Sequence, residues 1–103
     1  MFSCRECDAM FEFLENQEID TVLVCGIEAH VCVAQTAFDL VACGFNVHVA
    51  ADAVGSRRAS DRETALMRMR THGIAVTSAE AAIFEWCESA NADEFKQISG
   101  LLK

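Results

Sequence analysis

The chain has 103 residues, enough for one small domain and too few for a second core. Hydrophobic residues make up 52% and charged ones 23%, which excludes the apolar-poor, highly charged composition of disordered chains. Sixteen acidic against eight basic residues leave a net charge of −8, so the summed field repels phosphate backbones and anionic bilayers and excludes nucleic acid and membrane surfaces as expected partners.

Every apolar run is broken by Glu, Asp, Arg or Asn well short of the roughly 20 residues that a membrane span needs. Met1 to Glu6 lacks a basic segment followed by an apolar one, so the expected compartment is the cytoplasm, with the six cysteines reduced.

Between Arg5 and Asn16 the residues Cys7, Met10, Phe11 and Leu14 fall at i, i+3, i+4 and i+7, with Glu6, Asp8, Glu12 and Glu15 opposite. That spacing predicts an amphipathic helix. Thr21-Val22-Leu23-Val24-Cys25 is β-branched and without polar alternation, as a parallel strand covered on both faces requires, and Gly26 closes it. Val33, Ala37, Leu40 and Val41 recur at helical spacing between Val31 and Cys43, and Gly44 supplies a left-handed stop. Asn46-Val47-His48-Val49-Ala50 reads as the second strand.

Ser60 and Glu63 are spaced as a capping box opening a helix to about Thr71. Ile74-Ala75-Val76 reads as the third strand, and Thr77 with Glu80 as a capping box for a helix through Ile83, Phe84, Trp86 and Cys87. Phe95, Ile98, Leu101 and Leu102 mark a short docking helix interrupted at Gly100. Strands alternating with helices predict βαβ crossovers and a parallel sheet with helices on both faces, an α/β fold. The first strand is apolar on both faces while its outer edge has no evident partner, and such an edge invites pairing with another chain.

In open parallel sheets ligands bind beyond the carboxyl ends of the strands. This directs attention to Gly26-Ile27-Glu28-Ala29-His30-Val31-Cys32, which places Cys32 near the first turn of a helix, where unpaired amides and the positive dipole end favour anions. Cys32 is the nucleophile candidate, although position alone fits a small buried hydrophobe equally well. His30 reads either as a substrate contact or as a loop filler, and His48 and His72 read as structural.

Asp52, Ser56 and Arg57 lie near the same sheet edge, with a structural role in the loop or a substrate contact both open. Arg57, Arg58, Arg62, Arg68 and Arg70 gather most of the basic charge, readable as a helix surface, a subunit contact or a carboxylate site. Trp86 and Phe84 are assigned to core or interface. Cys4-Arg5-Glu6-Cys7 has redox or zinc spacing, but it lacks a preceding strand and a second ligand pair, so no metal or other cofactor is expected.

The run from Val22 to Val33, followed by Gln35-Thr36-Ala37, Asp39-Leu40 and Gly44, resembles the isochorismatase-like cysteine hydrolases, and within them the isochorismatase-domain-containing subgroup. Val47 to Arg57, Ala65 to Met69 and Thr77 to Phe84 continue the resemblance over nearly the whole chain. It implies that residues 1–103 are a partial domain of a Rossmann-like three-layer α/β/α fold. The part present would be its C-terminal βαβαβα half with three strands.

It further implies Cys32 as nucleophile toward an amide, ester or vinyl ether of a small molecule, with a covalent intermediate on sulfur. The backbone amides of Glu28 and Cys32 would form the oxyanion hole, and the peptide between Ile27 and Glu28 would be cis. The Glu28 side chain reads as a solvated loop carboxylate. The Asp and Lys of the family's triad correspond to positions before Met1. Lys96 and Lys103 are tail residues and Asp8 belongs to the first helix, so the chain as it stands is expected to be a weak hydrolase. The resemblance also implies a homo-oligomer. The contrasting expectation is a non-catalytic module that completes its sheet with another chain.

Overall fold

The computed structural model describes Ser3 and residues 8–87. Both the Cys4-x-x-Cys7 pair and the tail helix lie outside these residues. Helix α1 (Asp8–Asn16) precedes strand β1 (Thr21–Ile27), a π-helical turn (Ala29–Val33) and helix α2 (Ala34–Ala42). Strand β2 (Asn46–Gly55), helix α3 (Ala59–Thr71), strand β3 (Ala75–Thr77) and helix α4 (Ala79–Trp86) follow. The strands form one parallel sheet in the order β1-β2-β3.

Register and side-chain alternation sort the sheet into two faces. Val22 is level with Val47 and Val24 with Val49, and these four share one face because successive strand side chains point to opposite sides. They meet Ala34, Ala37 and Leu40 of α2, Ala65 and Met69 of α3, and Phe11 of α1 in a single core. Phe11 joins it edge-on to Phe45, with ring centroids 6.5 Å apart. On the other face α4 packs on β2, leaving a hollow lined by Leu23, His48, Ala82 and Trp86. Helices thus flank a parallel sheet in three layers, the α/β architecture expected.

Glycine sets the ends of two helices. Gly44 follows α2 at φ +93°, its N–H donates to Val41 O, and the next N–H, of Phe45, donates to Leu40 O. That pair of bonds is a Schellman ending. Gly73 repeats it after α3, with Gly73 N–H to Arg70 O and Ile74 N–H to Met69 O.

Four boundaries depart from expectation. β1 runs through Gly26 to Ile27 because Gly26 and Ile27 pair with Val54 and Gly55 rather than ending the ladder. β2 is correspondingly twice the expected length, with an irregularity between the Val24–Val49 and Gly26–Val54 pairs. Ser60 caps nothing, since α3 starts at Ala59 and Ser60 already lies in its first turn. Thr77 is held in β3 opposite Ala50, so the cap of α4 falls to Ser78, whose hydroxyl accepts from Ala81 N–H at 3.1 Å.

Trp86, assigned to core or interface, is 63% exposed. The outer edge of β1 carries no strand among the described residues, and Ile27 at its end is 75% exposed.

Candidate functional site

β1, β2 and β3 end at Ile27, Gly55 and Thr77, and the segments just beyond those ends come together. The Ile27–Glu28 peptide bond is cis. The chain then enters the π-helical turn, where the Glu28 carbonyl accepts from Val31 N–H at 3.1 Å and, one residue farther than in an α-helix, from Val33 N–H at 3.2 Å. The π turn continues into α2, so Cys32 lies in the first turn of a helical run.

The turn faces three ways. Ala29 and Val33 are buried in the core and fix it from below. Cys32 is half-buried and lines an open, largely apolar groove of about 380 Å³ along β1, together with Met10, Leu14, Val24, Ile27 and Thr36. His30 turns instead to a separate cleft that it lines with Arg57, Arg58 and Asp61. Cys32 and His30 are thus neighbours in sequence that line different hollows.

The cleft holds a polar cluster. His30 Nδ1 and Ser56 Oγ share a hydrogen bond of 2.9 Å. Glu28 Oε2 lies 3.7 Å from His30 Nδ1 and 3.8 Å from Arg57 Nε, and Asp61 Oδ2 lies 3.8 Å from His30 Nε2. Glu28 Oε2 is buried and has no hydrogen-bond partner, so this carboxylate is not the solvated loop group expected. Arg57 is largely exposed, which keeps its pairing with Glu28 weak.

Several residues near the site are structural. Asp52 Oδ1 accepts from Ala79 N–H at 2.8 Å and so holds the start of α4. Arg62 turns inward and donates to Val54 O at 3.2 Å and to Ala51 O, both in the irregular stretch of β2. Arg68 lies over the Phe38 ring, 5.4 Å from its centroid, and His72 Nδ1 bonds Arg68 O at 2.7 Å.

Asp61 joined the cluster without any sequence signal. Its link to His30 spans 31 positions of the chain and follows only from the packing of α3 beside the π turn. Lys96 and Lys103, the only lysines, lie outside the described residues. Among the described residues no group of three His, Cys, Asp or Glu side chains is gathered as metal ligands, and no helix is long and apolar enough to cross a membrane.

Residues 1–81 match the isochorismatase domain family. The secreted isochorismatase effector Isc1 of Phytophthora sojae is 51% identical over 83 residues, covering 81% of this chain and 40% of that protein. Among solved structures, the MAR1 ribonuclease of Caenorhabditis elegans superposes with a TM-score of 0.78 at 40% identity, over 85% of this chain and 47% of the other. The pyrazinamidase of Pyrococcus horikoshii superposes with a TM-score of 0.72 at 31% identity, over 76% and 44%. The chain spans about half the length of these relatives or less. Within that span, sequence and fold agree that the chain belongs to the isochorismatase family.

Proposed function

We propose that this chain carries the nucleophile-bearing part of a cysteine hydrolase acting on an amide, ester or vinyl ether of a small molecule. For an acyl substrate, the Cys32 thiol gives up its proton as the sulfur attacks the carbonyl carbon, the bond to the leaving nitrogen or oxygen breaks, and the leaving group departs with that proton. Water then cleaves the resulting thioester, releasing the acid and returning the thiol. The N–H groups of Glu28 and Cys32 are the donors assigned to the developing oxyanion, a role that stabilises charge present only in the transition state.

The observation that carries this reading is the placement of Cys32. It stands in the first turn of a helical run, just beyond the carboxyl end of β1 and beside an open apolar groove. The name of the Pyrococcus neighbour, a pyrazinamidase, supports an amide as one substrate class. The ribonuclease in the name of the Caenorhabditis neighbour is not carried over, because a net charge of −8 opposes approach of a phosphodiester chain. A reduced, cytoplasmic setting suits a free nucleophilic thiol.

The resemblance implies an Asp and a Lys as the other members of the triad, and the chain spans about half the length of its relatives or less. A thiol nucleophile that works without a partner acid and base forgoes proton transfers worth about 10²–10⁴ in rate. The test is incubation with an activated ester such as p-nitrophenyl acetate, followed by peptide mapping. The acetyl group is expected on Cys32 and lost with Cys32→Ser; acetylation confined to other cysteines would overturn the reading.

The edge of β1, which carries no strand among the described residues, favours a second reading, a non-catalytic module that completes its sheet with another chain, and equally a homo-oligomeric enzyme. Sedimentation separates these from a self-sufficient unit, since a monodisperse monomer at all concentrations counts against both.

A further inference from the structure

The polar cluster in the second cleft takes no part in the chemistry assigned to Cys32, yet it joins the nucleophile turn to segments distant in sequence. In the backbone of the turn the Glu28 carbonyl accepts both the Val31 and the Val33 N–H, and the Ala34 N–H that follows donates to Ala29 O and Val31 O. Core packing of Ala29 and Val33 fixes one side of the turn. On the opposite side a side-chain hydrogen bond between His30 and Ser56 ties it to the β2–α3 loop, with Glu28 and Asp61 flanking the same ring.

We propose that His30 is a positioning residue, which through Ser56, Glu28 and Asp61 fixes the π turn so that the Cys32 sulfur and the Glu28 and Cys32 amides converge on one reacting carbon. The proposal deepens the reading of Cys32 as nucleophile and rests on it for its chemical readout. Its physical basis is that small displacements of a reacting group, on the order of 1 Å, cost about 10²-fold in rate. A tether on the turn's polar side adds a side-chain restraint to the core packing of Ala29 and Val33 on the other.

The test uses the whole chain and four variants: His30→Ala, Ser56→Ala, the double variant and His30→Asn. Two quantities are measured, amide hydrogen exchange at Val31 and Val33 with Val49 of the central strand as reference, and acetylation of Cys32 by p-nitrophenyl acetate relative to Cys43. Each alanine variant is expected to speed exchange at Val31 and Val33 but not at Val49, and to slow relative Cys32 acetylation by about fivefold to tenfold, the equivalent of one hydrogen bond. Because His30 and Ser56 act as one link, the double variant is expected to lose no more than either single. His30→Asn places an amide group where Nδ1 stood and is expected to recover most of both signals.

Additive losses, or an equal rise in exchange at Val49, would overturn the proposal, because they describe independent or merely global effects. Failure of the nucleophile reading looks different: Cys32 in the parent chain stays unacetylated while exchange at Val31 and Val33 still responds to both residues.

Discussion

Replacing Arg62 with Met removes the guanidinium while keeping most of the side-chain stem. Between the Val24–Val49 and Gly26–Val54 pairs the ladder loses its regular register. Arg62 Nε donates to Val54 O at 3.2 Å and the terminal nitrogen donates to Ala51 O. Val54 is buried, so its carbonyl has little access to water once the guanidinium is gone.

A hydrogen bond from a charged donor is worth about 1.5–3 kcal/mol, and two at the lower end give a loss of about 3 kcal/mol. With a urea m-value in the lower part of the 1–3 kcal/mol/M range, that is a fall in midpoint of about 2 M. Arg62→Lys, which offers a point charge instead of a planar fork, is expected to recover about half of it. The assay is urea denaturation followed by far-UV circular dichroism. A change within about 0.5 kcal/mol for Arg62→Met would refute the assignment of these two carbonyls to Arg62, since surface substitutions typically fall within that range.

Leu40 is fully buried and belongs to the core shared by the sheet and helices, so Leu40→Ala is expected to cost about 2–5 kcal/mol in the same denaturation assay. The start of α4 is held by two side chains, and Ser78→Ala and Asp52→Ala are each expected to cost about 1 kcal/mol and to reduce helicity in circular dichroism.

The apolar run Val22 to Val24 and the alternation of helical with extended segments were enough to reveal the parallel α/β order, because hydrophobic period is a local property of the chain. The glycine stops after α2 and α3 were local in the same way at Gly44. What escaped was non-local. β2 continues to Gly55 through Ala51-Asp52-Ala53, a stretch with weak strand propensity, because pairing with Gly26 and Ile27 and the bonds from Arg62 support it from outside. The capping boxes failed for a related reason. Thr77 has the right side chain to cap α4, but the ladder with Ala50 claims its backbone and passes the cap to its neighbour.

At the site, the position of Cys32 beyond β1 was legible because a strand, a short loop and a helix start suffice to define it. The division between the Cys32 groove and the His30 cleft was not, since it depends on how a π turn rotates residues two apart. Asp61 joined His30 only through the packing of α3 against that turn, whereas Ser56, already placed at this sheet edge by the sequence, meets it from the loop after β2.

Competitive labelling of the thiols with limiting iodoacetamide tests the central claim most directly. Cys25 and Cys43 are exposed, Cys32 is half-buried and Cys87 is buried, so exposure alone ranks Cys32 behind the first two. The account assigns the nucleophile to Cys32, in the first turn of the helical run beyond β1, and therefore predicts that Cys32 is alkylated ahead of Cys25 and Cys43. Labelling that follows exposure, with Cys32 trailing both, would contradict it.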